Sequence, residues 1–137
     1  MKQKGFTLIE LLAVIVILAI IAVITTPKIT NEIEQSRKNL AKNSALKYKN
    51  TIDEYVLRQE MNKNEITLNG TYNINENGYI YNEETTYEIL FSGEKPSGYL
   101  TYSNNELTKA HIQINTYCIE FENNEIKSIQ KQQCSNT

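Results

Sequence analysis

Histidine is nearly absent from this chain: His111 is the only one in 137 residues, and no second histidine or cysteine stands at ligand spacing beside it. The expectation at His111 is therefore a structural or surface role rather than a metal ligand. Only five glycines are present, none in a phosphate-cradling loop, and there is no nucleophile elbow. Serines and threonines abound without a base to activate them. Glu83, Glu84, Glu120, Glu122 and Glu125 do not form the Asp-rich loop that oxygen ligation of Ca²⁺ requires. No catalytic, cofactor-binding or metal-ligating residue is assigned on these grounds, and an enzyme is the class least expected.

Neither sign of charge dominates the chain as a whole. The net charge is −2, but residues 28–63 carry +3 and residues 64–137 carry −6. A basic stem thus bears an acidic head. Its ordinary reading is a solvated surface, and its sharper one an attraction between stems and heads of neighbouring copies that salt would weaken. The lysines are interleaved with acids and form no basic stripe, so nucleic acid is not an expected partner.

What the chain does have is one long apolar run. Residues 6–24 contain a single charged side chain, Glu10, and follow a short lysine-bearing start with Lys2 and Lys4. As a helix the run would extend about 28 Å, close to the hydrocarbon thickness of a bilayer. The two lysines would keep the start on the cytoplasmic side. A secretory signal peptide is disfavoured, because the run is too long and ends in Val-Ile-Thr-Thr-Pro without a small-residue cleavage site. A plain single-pass anchor would have no use for Glu10. A carboxylate at that depth is costly and calls for a dedicated partner.

Lys-Gly-Phe-Thr-Leu-Ile-Glu-Leu-Leu, residues 4–12, resembles the prepilin signature of type IV pilins and pseudopilins. The resemblance extends to Pro27 and covers under a fifth of the chain. It implies cleavage between Gly5 and Phe6 by a membrane prepilin peptidase, N-methylation of Phe6, and pairing of Glu10 with the Phe6 amino group of an adjacent copy. A contact between Glu10 and its own N-terminus, one turn back, is the alternative. Implied partners are other copies in a homopolymer filament, other pilins, the peptidase, an inner-membrane assembly platform, and the lipid bilayer before assembly. The head ligand is left open, and no cofactor is implied.

The implied fold is α+β, a long N-terminal helix packed on a small antiparallel sheet. Residues 1–5 would be a leader and 6–27 a transmembrane and assembly helix. Residues 28–137 would form the head, with an amphipathic stem over 28–60 and a β-sheet region over 64–137. Along the stem, Ile29, Ile33, Leu40, Ala41, Ala45, Tyr48, Ile52, Tyr55 and Val56 form one helical stripe expected to face the sheet. Pro27 lacks an amide donor and clashes with the Val23 carbonyl, so a kink or loosening is expected there.

In the head, residues 66–68, 79–81 and 87–91 are candidate strands, with Asn69-Gly70 and Asn77-Gly78 as turns. A clearer meander follows over 99–103, 107–114, 117–122 and 125–130, with Asn104-Asn105 and Asn123-Asn124 as turns. Cys118 and Cys134 are the only cysteines. In an exported domain a bridge would close a short loop and contribute about 3 kcal/mol in the chain-entropy model; two free thiols are the alternative. A comparable C-terminal disulfide occurs in the pilins this chain resembles.

The resemblance carries three functional expectations. The first is a type IV pilus subunit in a surface filament for adhesion, twitching motility or biofilm formation, single-pass in the cell membrane before assembly and extracellular after it. The second is a minor pilin or pseudopilin of a type II secretion or DNA-uptake machine. The third is a monomeric membrane-anchored binding protein, against which Glu10 argues.

Overall fold

The computed structural model describes residues 4–135. Its order is one helix, α1 (Leu8–Met61), then β1 (Gly70–Ile74), β2 (Ile80–Tyr81), β3 (Thr86–Tyr87), β4 (Ser97–Ser103), β5 (Glu106–Ile114), β6 (Tyr117–Glu122) and β7 (Glu125–Gln130). The chain divides into two compact units, residues 1–37 and 38–137.

In the first unit the helix begins where its orphan amides find acceptors. The Thr7 amide donates to Glu10 Oε2 at 2.8 Å, and the Glu10 amide donates to Thr7 Oγ1 at 3.4 Å. This reciprocal pair is a capping box. The large apolar side chains that follow, from Leu8 to Ile33, are exposed. The segment is long and apolar enough to cross a membrane. Helical structure continues through Pro27. The Thr25 hydroxyl donates to the Ile21 carbonyl at 2.9 Å and the Thr26 hydroxyl to the Ala22 carbonyl at 2.6 Å, so these polar groups are satisfied inside the helix.

In the second unit α1 buries one face: Ala41, Ala45, Tyr48, Ile52 and Val56. The expected stripe is therefore buried only from Ala41 onward; Leu40 is 64% exposed, and Ile29 and Ile33 in the first unit are exposed as well. Helical periodicity identifies a face but does not say how far along it a cover extends. The helix ends in a Schellman motif. Lys63 adopts φ 62°, its amide donates to the Glu60 carbonyl at 3.1 Å, and the Asn64 amide donates to the Gln59 carbonyl at 2.9 Å.

The seven strands form one antiparallel sheet in the order β3-β2-β1-β4-β5-β6-β7. Cross-strand register explains the two faces. Tyr72, Leu100, Ala110 and Phe121 are successive partners across β1, β4, β5 and β6, and all are buried in the core shared with the helix. Asn73, Tyr99, His111, Glu120 and Ser128 form the neighbouring row, which period-two geometry places on the outer face. Tyr48 anchors the helix by donating to the Gly78 carbonyl at 2.7 Å and packing edge-on against Phe91. Burial pushes the Tyr48 phenol well above its ordinary pKa, so it remains a neutral donor.

The C-terminal meander agrees with the sequence pattern. Asn104-Asn105 and Asn123-Asn124 all adopt positive φ, which a two-residue type I′ hairpin turn demands. The first half of the sheet differs. Residues 66–68 are not a strand; of residues 79–81 only Ile80–Tyr81 pair, and of residues 87–91 only Tyr87 does, in a β3 that starts one residue earlier at Thr86. Gly70, expected in a turn, instead opens β1.

Candidate processing and assembly site

Residues 4–7 precede the helix and adopt no regular structure. A Cβ added at Gly5 would meet nothing within 4 Å, and Phe6 is 86% exposed. The Gly5–Phe6 peptide bond is thus open and irregular, the form in which a protease can bind backbone. Lys2 lies outside the described residues; Lys4 is exposed. Glu10 is exposed, one turn into the apolar helix, with its carboxylate on the Thr7 amide. Thr7, Glu10 and the expected cleavage point lie together at the start of the helix. Thr7 was not singled out from the sequence, although Thr-x-x-Glu before an apolar run is the signature of such a cap.

Residues 1–26 match the family model described as the prokaryotic N-terminal methylation motif, the type IV pilin and prepilin signature. The chain begins with a prepilin motif. No curated protein and no solved structure gives a significant match. The prepilin motif supports a pilin-like or pseudopilin protein, and together with the long apolar N-terminal helix it fits membrane anchoring. The head, one helix face laid on an antiparallel sheet, has the corresponding α+β, pilin-like form.

The head holds further features around its C-terminal tail. Cys118 and Cys134 are joined by a disulfide, with Cα atoms 5.1 Å apart. The C-terminal tail is also pinned by Gln113, a buried side chain the sequence did not mark. Gln113 accepts from the Cys134 amide at 2.7 Å and donates to the carbonyls of Asn115 at 2.8 Å and Gln132 at 3.3 Å. Beside the disulfide, ligand atoms of His111, Cys118 and Glu120 all lie within 4.8 Å of one another. Sequence spacing did not reveal this group, because antiparallel pairing brings it together from two strands. Reaching the same tail, an open hollow of about 750 Å³ is lined by Asn73, Tyr99, Thr101, Lys109, Gln113 and Cys134 among others.

Proposed function

We propose that this protein is the structural subunit of a type IV pilus, cut between Gly5 and Phe6 by a prepilin peptidase, N-methylated at Phe6 and polymerised through its N-terminal helix. The observation that carries this reading is the contrast along α1. Ala41 to Val56 contribute a buried face to the head, whereas the apolar side chains from Leu8 to Ile24 are exposed. An apolar surface of that length needs a bilayer or a bundle of like helices. Glu10 favours the bundle as the final state. In a filament core the carboxylate of one copy can face the methylated Phe6 amine of the next, fixing axial register through a strongly distance-dependent charge pair. The partners in this reading are other copies, other pilins, the peptidase, the assembly platform and the bilayer. The head carries no proposed catalysis; it forms the filament surface used for adhesion, motility or biofilm formation.

Electron microscopy of sheared surface material, with mass spectrometry of the same fraction, tests the reading. The expected result is micrometre-scale fibres composed of a chain beginning at methylated Phe6. A chain retaining Met1, or one that stays dispersed in the membrane, would refute it. A scarce processed subunit confined to short pili or fibre tips would assign it instead to the minor pilins or pseudopilins.

A further inference from the structure

We infer that reduction of the Cys118–Cys134 bridge turns the adjoining outer face of the sheet into a zinc site built from Cys118, Cys134, His111 and Glu120. The inference does not depend on filament assembly. Its first support is register. His111 pairs directly with Glu120, and Gln113 with Cys118, so His111, Cys118 and Glu120 share one face and their ligand atoms converge within 4.8 Å. Tetrahedral zinc with bonds of about 2.0–2.3 Å sets its ligand atoms roughly 3.3–3.8 Å apart. About 1 Å of side-chain rotation therefore closes the cluster around an ion. Cys134 is already bonded to Cys118 and completes four ligands.

The second support is an unpartnered polar atom. His111 is only 7% exposed, and its Nδ1 is buried with no hydrogen-bond partner. Leaving such a group unpaired is costly, and a bound metal ion would supply the missing partner. Tyr99 stacks on the imidazole at 5.0 Å and fixes the plane of the ring. A third support is access. A hollow of about 350 Å³ is lined by His111, Glu120, Lys109, Glu122 and Lys127 among others, giving a hydrated ion a route to the cluster. The nearby Lys127 charge is engaged by Glu122 at 2.9 Å. Ser128 donates to Glu120 Oε2 at 2.8 Å, orienting the carboxylate as outer partners do around bound metals.

The disulfide decides whether the site exists. While it is closed, His111 and Glu120 are two ligands, too few for a zinc site. A dithiol reductant opens it by attack on the Cys134 sulfur, which belongs to the less buried cysteine. The S–S bond breaks, Cys118 departs as a thiolate, and the second thiol of the reductant then displaces Cys134 and leaves as the oxidised disulfide. Both electrons come from the dithiol. Zn²⁺ binds the two sulfurs as thiolates, and any proton they carry is released to water. A sulfur-rich set with one imidazole selects zinc over Mg²⁺ or Ca²⁺. The tail then has a fastening in both redox states, covalent when oxidised and metal-bridged when reduced.

The test uses the full chain in detergent micelles, reduced with a phosphine so that no dithiol competes for metal. Zinc is added against a chromophoric chelator. The reduced protein should take up one Zn²⁺ per chain and the oxidised protein none under the same conditions. Cobalt in place of zinc should show thiolate-to-metal charge transfer and the visible bands of a tetrahedral ion. His111→Ala and Glu120→Gln should each weaken uptake about tenfold or more. Glu120→Gln preserves size at a partly exposed position and carries the test if the buried histidine variant fails to fold. Zinc should also raise the melting midpoint of the reduced protein alone. Equal uptake by the oxidised protein, no uptake by the reduced one, or uptake unchanged by Glu120→Gln would overturn the inference.

Discussion

Asn105 supplies Leu68 with the hydrogen bonds a neighbouring strand would otherwise provide. Its side-chain oxygen accepts the Leu68 amide, its own amide donates to the Leu68 carbonyl at 3.0 Å, and its side-chain nitrogen donates to the Ile66 carbonyl at 3.1 Å. One turn residue thereby holds an extended segment against the sheet and keeps Leu68 in the core. The same residue sits at φ 67° in the β4–β5 turn, a conformation asparagine tolerates better than most.

Replacing Asn105 with Gly should separate these two roles. Glycine keeps the positive φ at no steric cost but removes the side-chain bonds to Ile66 and Leu68. The Leu68 amide then loses its partner in a part-buried position, and the head should lose about 1–3 kcal/mol of stability in denaturant unfolding. Asn105→Ala should cost more, since it adds backbone strain to the same loss. A loss under roughly 0.5 kcal/mol in the glycine variant, within the range of ordinary surface changes, would show that water replaces the side chain freely.

Gly98 is expected to tolerate no side chain. It lies in β4 opposite Ile112 at φ 119°, and a Cβ there would fall well inside van der Waals contact with the His111 carbonyl oxygen. The obstacle is backbone held by the sheet on both sides, so it cannot swing away. Gly98→Ala should destabilise the head by about 3 kcal/mol or more, through strain and a broken β4–β5 ladder. Thermal unfolding followed by circular dichroism measures it. An unchanged midpoint would mean that this part of β4 can shift away from β5.

These positions show what could be read in the sequence and what could not. The meander from β4 to β7 was legible because its strands are long enough for period-two alternation and are punctuated by two Asn-Asn turns. β2 and β3 pair over two residues each, too short for any period to register. Residues 66–68 carry a strand pattern, but their partner is the single turn residue Asn105, mostly through its side chain, which alternation cannot reveal. On the helix, Ile33 and Ala41 read alike, and only the second is buried. At the N-terminus Glu10 stood out because a charge in an apolar run is rare, whereas Thr7 passed as one polar residue among many. The nearness of His111 to Cys118 has no counterpart in sequence spacing.

Lys63 leaves room for a gain in stability. It holds the left-handed position of the Schellman motif, at φ 62°, where a Cβ is unfavourable. Glycine meets the same requirement without that cost, and the side chain it deletes is exposed. Lys63→Gly should stabilise the head by about 0.5–1 kcal/mol, a balance of strain relief against greater freedom of the unfolded chain. Chemical denaturation of the variant beside the parent measures it. Destabilisation would mean that the lysine makes a contribution beyond its backbone conformation.

Glu10 can be dissected by substitutions that treat its cap and its charge differently. Its carboxylate accepts from the Thr7 amide at 2.8 Å, so a capping role alone accounts for the contact within one chain. Glu10→Gln keeps an oxygen that can accept the same amide but carries no charge. Glu10→Val removes both. Thr7→Ala deletes the reciprocal acceptor and leaves the carboxylate intact. If the charge pairs with the Phe6 amine of a neighbour, all three variants should be processed, because the Gly5–Phe6 bond is unaltered. Only Thr7→Ala should then form filaments in quantity. If capping is the whole of the role, Glu10→Gln should assemble like the parent and Thr7→Ala should be impaired. Mass spectrometry of the N-terminus and electron microscopy of sheared material separate the two outcomes, since the amide preserves the helix start while abolishing the attraction between subunits.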